Sequence, residues 1–118
     1  MKPTSTSFAE EFSATHHALS GVRRQVGAWL RTQGHDSSVL VADVEMVLSE
    51  LGANVVDHTS SPWISVALEL RCDRVIVEVS NQGSARVVPA VADWGDLAEG
   101  VRGRGLRIVR ALCTTIVV

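Results

Sequence analysis

The sequence predicts an α+β fold, a two-layer α/β sandwich whose mixed, mostly antiparallel sheet carries helices on one face. Three observations lead there. Apolar residues recur at helical spacing over residues 14–32 and 38–58, they alternate over 63–70 and 75–79, and a glycine-rich stretch without a period precedes a short closing helix and strand. Segments with one apolar side each must stack as layers to bury those sides.

The first dozen residues, with Ser and Thr alternating up to Phe8 and Phe12, read as an edge strand or a loose arm, so 1–13 is set apart from a domain spanning 14–118. Ala18, Val22, Val26, Trp29 and Leu30 then mark a helix, and Gly34 supplies its stop. Asp36, Ser37 and Ser38 are N-cap candidates for a second helix, whose stripe runs through Leu40, Val44, Val47, Leu48, Leu51 and Val55. It ends near His58, because Thr59-Ser60-Ser61-Pro62 follows and proline disfavours helical geometry in the residue before it. Ile64, Val66, Leu68 and Leu70 alternate in one strand, and Val75, Val77 and Val79 alternate in the next after a polar turn at 71–73. Residues 81–102, with Gly83, Gly95, Gly100 and Pro89, form a long loop, a length that is usually functional inside a compact domain. Leu106, Val109 and Leu112 mark a short helix, and the β-branched run 114–118 a last strand.

Composition narrows the function classes. The chain has 118 residues, the size of one domain with its own core. No apolar run approaches the roughly 20 residues that span a bilayer, and the start lacks the basic, apolar and small-residue order of a signal peptide, so a cytoplasmic protein is expected. Cys72 and Cys113 read as two free thiols. His16, His17, His35 and His58 lack companions at zinc-site spacing. Trp29 and Trp63 are expected in the core and Trp94 in the long loop. A net charge of −2 argues against nucleic acid as a partner. Arg102, Arg104, Arg107 and Arg110 are concentrated near the end, which suits a compact anion such as nucleotide phosphates and equally suits a solvated helix face.

Three segments can carry chemistry. Glu50 and Asn54, four apart on the second helix, project from one face beside its apolar stripe. An amide oxygen is a hard ligand suited to Mg²⁺, and a carboxylate one turn earlier can accept a proton from an attacking hydroxyl. Alone, the pair also fits ordinary exposed helix residues. Gly103-Arg104-Gly105-Leu106 opens the last helix, where free N–H groups and the helix dipole can meet phosphates; a plain loop end is the other reading. The strand from Val75 runs into Asn81-Gln82-Gly83, a polar turn where a ligand can sit, or simply a turn.

The succession of these pieces resembles the GHKL, or Bergerat-fold, ATPase family. Within it the chain is most similar to the bacterial anti-sigma factor serine/threonine kinases, through the Val22-Arg23 helix, Glu50 to His58 with its Asn-x-x-x-His ending, and Gly103-Arg104-Gly105-Leu106. The resemblance implies ATP and Mg²⁺ as cofactors, with Glu50 as catalytic base and Asn54 as metal ligand. It further implies that Asn81 and Gly83 line the adenine pocket, that 84–102 covers the nucleotide, and that Asp57, His58, Arg102, Gly103, Arg104, Gly105 and Leu106 complete the nucleotide site. A sigma factor and an antagonist protein are the implied partners, and a homodimer the implied assembly. A catalytically inactive protein-binding module of the same fold is the alternative. The catalytic part of a histidine kinase is disfavoured, since the residues before Ala14 are too few for dimerising helices. One departure stands out: where the family usually has Asp, then Gly two and four residues later, this chain has Asn81, Gly83 and Ala85. An Asn carbonyl can accept from an adenine amino group, without the charge assistance that Asp supplies.

Overall fold

The computed structural model describes residues 7–35, 37–72, 74–81, 109, 112 and 113. Chain order is β1 (Ser7–Ser13), α1 (His16–Thr32), α2 (Ser38–His58), β2 (Trp63–Leu70) and β3 (Val75–Asn81). The strands form one antiparallel sheet in the order β1-β2-β3. Both helices pack on one face of it. The expected strand at 114–118 and most of the expected last helix lie outside the described residues, although Val109 and Leu112 have helical backbone.

Local chemistry sets the element boundaries. The Thr15 side chain accepts a hydrogen bond from the Ala18 N–H at 3.1 Å, capping α1 where its first turn has free donors. Ser37 does the same for Leu40 at the start of α2. Gly34, at φ 86, takes the left-handed conformation that ends α1 and that a side chain would disfavour. At the far end of α2 the Thr59 hydroxyl donates to the Val55 carbonyl at 2.7 Å, and the Ser61 hydroxyl donates to the Trp63 carbonyl at 2.6 Å. These bonds satisfy the backbone of the tight link into β2.

Strand register decides which side chains meet the helices. Ile64, Val66 and Leu68 are almost wholly buried, as alternation requires. Phe8 and Val77 stand opposite Leu68, Val79 opposite Val66, and Phe12 and Asn81 opposite Ile64, so all of these share the helix-facing side. Val22, Val26 and Leu30 of α1 and Val41, Val44, Leu48 and Val55 of α2 complete the core. Trp29 does not enter it fully. It lies at the core's edge, its ring 5.7 Å from that of Phe8. Trp63, odd-numbered in a strand whose even positions face inward, falls on the opposite side of the sheet and is half-buried. Both differ from the core placement expected for them, and for Trp63 the strand's own alternation is the reason.

The two helices run antiparallel and touch through small residues. Gly52 of α2 leaves the space that Leu19 fills; a Cβ there would lie 2.5 Å from the nearest Leu19 methyl. Gly27 of α1 leaves comparable space for Glu45. Further along, Arg23 donates to the Ser49 hydroxyl at 3.1 Å, and that hydroxyl donates to the Glu45 carbonyl.

Candidate functional site

The helix α2 is the element that positions the site. One side of it, through Glu45, Ser49 and Gly52, faces α1. Its other side, through Val47 and Leu51, packs with Val109, Val77 and Cys113 in a second apolar cluster. At about 100° per residue, Asn54 lies roughly 120° around the helix from Leu48, on the Val47 and Leu51 side, and Glu50 roughly 40° further round. Both are half-buried. Neither has a hydrogen bond or ion pair with another described residue.

The end of β3 lies at the same end of the molecule. Four residues connect His58 to Trp63, so β2 starts beside the last turn of α2, and Asn81 stands opposite Ile64 at that start. Asn81 is half-buried and on the helix-facing side. Asn54 on the β3-facing flank of α2 and Asn81 at the tip of β3 therefore belong to one end and one side of the fold.

The remaining expected residues divide. His58 is half-buried in the last turn of α2, where a basic side chain complements the helix dipole. Asp57 bonds within the fold: its carboxylate meets His16 Nε2 at 2.8 Å, joining the last turn of α2 to the first of α1. Since the first turn of α1 has no acid of its own, Asp57 also supplies the negative charge that a helix N-terminus favours. Gly83, Arg102, Gly103, Arg104, Gly105 and Leu106, with the rest of the expected loop and Trp94, lie outside the described residues.

The structure adds a feature that the sequence reading missed. A shallow cavity of about 240 Å³ opens between α1 and α2, bounded among others by His16, Leu19, Ser20, Arg23 and Glu50. Glu50 thus stands on the crest of α2, with Asn54 towards β3 and the groove towards α1. Helical spacing already put Leu19, Ser20 and Arg23 near one another, but only the pairing of α1 with α2 brings them to Glu50.

Cys72 is exposed in the β2–β3 turn and Cys113 is half-buried, both as free thiols. Burial raises the Cys113 thiol above its ordinary value. Among the described residues no group of His, Cys, Asp and Glu is arranged to hold a metal by itself. Asn54, a neutral oxygen donor, suits a cation that brings most of its own oxygen ligands, as Mg²⁺ does with water and phosphates. No described helix is long and apolar enough to cross a membrane.

The sequence profile described as the histidine kinase-like ATPase domain covers residues 12–118. No match was found among curated proteins.

Proposed function

Because the chain belongs to the histidine kinase-like ATPase domain family, we propose that it is an ATP-dependent protein serine/threonine kinase of the anti-sigma factor type, regulating transcription through a sigma factor and its antagonist. The observation that carries this reading is the Glu50 and Asn54 pair on α2, unbonded among the described residues, at the end of the fold where β3 delivers Asn81. An ATP-binding domain follows from the family; the pair favours transfer as well as binding. Phosphoryl transfer asks mainly for positioning and charge neutralisation, so few residues suffice.

The roles are distributed along α2. Asn54 would hold Mg²⁺, which when bound neutralises charge on the nucleotide phosphates. Glu50 accepts the proton of a serine or threonine hydroxyl on the antagonist as that oxygen attacks. Asn81 accepts a hydrogen bond from the adenine amino group through its amide oxygen. Gly103 and Gly105 bring backbone N–H groups to the phosphates, with Arg102 and Arg104 beside them. On this reading the protein acts in the cytoplasm and forms a homodimer. Asp57 keeps its structural bond to His16 and leaves nucleotide contact to its neighbours.

Transfer of label from γ-labelled ATP to an antagonist protein tests the assignment. Glu50→Ala is expected to slow transfer by roughly 10²–10⁴-fold with nucleotide affinity retained; undiminished transfer with tight nucleotide binding would reject Glu50 as the base.

One observation favours a second reading, a module that keeps the fold and captures a regulatory protein without transfer. Asn81 and Ala85 replace the charged and flexible residues usual in the family. Absence of binding heat and of any thermal shift at millimolar ATP with Mg²⁺ would select the module, since a ligand of the folded state must raise its stability.

A further inference from the structure

We propose that the solvent face of the α1–α2 pair docks one amphipathic helix of a partner protein, acidic along the flank that meets α1 and apolar along the line that meets α2. The inference does not depend on phosphotransfer. It begins with a segregation of charge that the net value of −2 conceals. Between residues 14 and 35 there are three arginines, Arg23, Arg24 and Arg31, and no carboxylate; between 37 and 58 there are four carboxylates, Asp43, Glu45, Glu50 and Asp57, and no lysine or arginine.

Adjacent helices of opposite charge ordinarily satisfy one another, yet these do so little. Among the described residues the one ion pair between them is His16 with Asp57. Arg23 spends a donor on the Ser49 hydroxyl and Arg24 one on the Ser20 hydroxyl at 3.3 Å, and none of the three guanidinium groups lies within salt-bridge distance of a described carboxylate. Arg24 and Arg31 are exposed and seven residues apart, about two turns along the same face.

The acidic helix contributes apolar surface where solvent would favour polar groups. Val39 is 69% exposed and Met46 43%, again seven residues apart, with exposed Ala42 between them. A helix that is apolar beyond its core-facing stripe normally has a second contact. Because α1 and α2 are antiparallel, with Gly27 at Glu45 and Leu19 at Gly52, Arg31 and Arg24 flank the same stretch as Val39, Ala42 and Met46. That stretch runs into the cavity between Leu19 and Ala53. From Ser20 to Arg31 it is roughly 17 Å long, about three helical turns.

Complementarity selects the occupant. A phosphate polymer would gain from the arginines and be repelled by the α2 carboxylates beside them. In a second copy the apolar stripe lies on the acidic helix, so a two-fold contact that joins the stripes also brings the carboxylates of both copies together. A single helix with apolar residues at three- and four-residue spacing and carboxylates on one flank meets both halves of the face, the mode in which an amphipathic helix fills a groove.

The test uses the whole chain and a synthetic helical peptide of about 18 residues, with leucines at that spacing and glutamates on one flank, against a control carrying lysines there. Affinity is read by fluorescence anisotropy and position by amide shift perturbation. The glutamate peptide is expected to bind with shifts confined to α1 and α2. Arg24→Glu with Arg31→Glu should weaken it by roughly ten-fold or more and make the lysine peptide the better ligand, a reversal that mere loss of folding cannot produce. Met46→Glu, at an exposed position, should abolish binding of both peptides with the thermal midpoint retained. Equal affinity for the two peptides, shifts on the open side of the sheet, tighter binding of a single-stranded RNA oligomer, or self-association abolished by Met46→Glu without peptide binding would each overturn the proposal.

Discussion

Asn81 occupies the position where the adenine ring is recognised on the proposed reading, and its neutrality has a measurable consequence. A hydrogen bond to a carboxylate is roughly twice as strong as one between neutral groups. Asn81→Asp is therefore expected to tighten ATP by about ten-fold, some 1.4 kcal/mol, measured by titration calorimetry; weaker binding would place the adenine elsewhere. The His16–Asp57 bond is a contrast, because its side chains are 62% and 47% exposed and solvent screens it. Asp57→Asn should lower unfolding stability by less than about 1 kcal/mol in a urea titration and leave ATP affinity unaltered. A larger loss of affinity would return Asp57 to the nucleotide site. Cys113 carries the pH prediction. Its thiol is raised by burial in the folded chain, so above the ordinary thiol range the unfolded chain ionises first and the folded state loses stability as pH climbs, with no effect below that range. At pH near 8, iodoacetamide should label exposed Cys72 well before Cys113; equal rates would contradict this environment.

At the scale of elements, the contact between α1 and α2 depends on the missing side chain of Gly52. Gly52→Ala would set a methyl 2.5 Å from a Leu19 atom that is itself buried in the helix contact, so Leu19 must leave its position or the helices must part. The expected cost is about 1–3 kcal/mol, read as a lower midpoint in denaturant, and Leu19→Ala in the same chain should recover part of it. No recovery would mean that Gly52 matters for another reason. Much of this level was legible beforehand. The second helix ends at His58 because Pro62 and the Ser and Thr before it forbid more turns, and both middle strands follow from strict alternation. The outward side of Trp63 was implied by the same alternation, although its size suggested the core. What periodicity does not encode is pairing. Residues 7–13 have only Phe8, Ala9 and Phe12 among polar ones, without strict alternation, and β2 alongside them makes a strand of that segment.

For the molecule as a whole, the spacing of Glu50 and Asn54 was readable because four residues on a helix always share a face. Their neighbours were not. The groove beside Glu50 exists because helix pairing brings to Glu50 residues 27 to 34 positions earlier in sequence, from Arg23 back to His16, and no local pattern records such distances. The nearness of Asn81 to the end of α2 likewise comes from β3 returning antiparallel to β2. Composition was informative in sum and silent in distribution, since a chain of net charge −2 contains one helix with no carboxylate and one with no lysine or arginine. The central claim is that a nucleotide binds at the end of the fold shared by α2 and β3, held there through Asn54. The direct measurement is a calorimetric titration of the whole chain and of Asn54→Ala with ATP in the presence of Mg²⁺. The account predicts saturable heat for the wild-type chain, with a thermal stabilisation of about 2.7 kcal/mol at a hundredfold excess over Kd, and loss of most of that heat in the variant. Equal binding by both chains would contradict it.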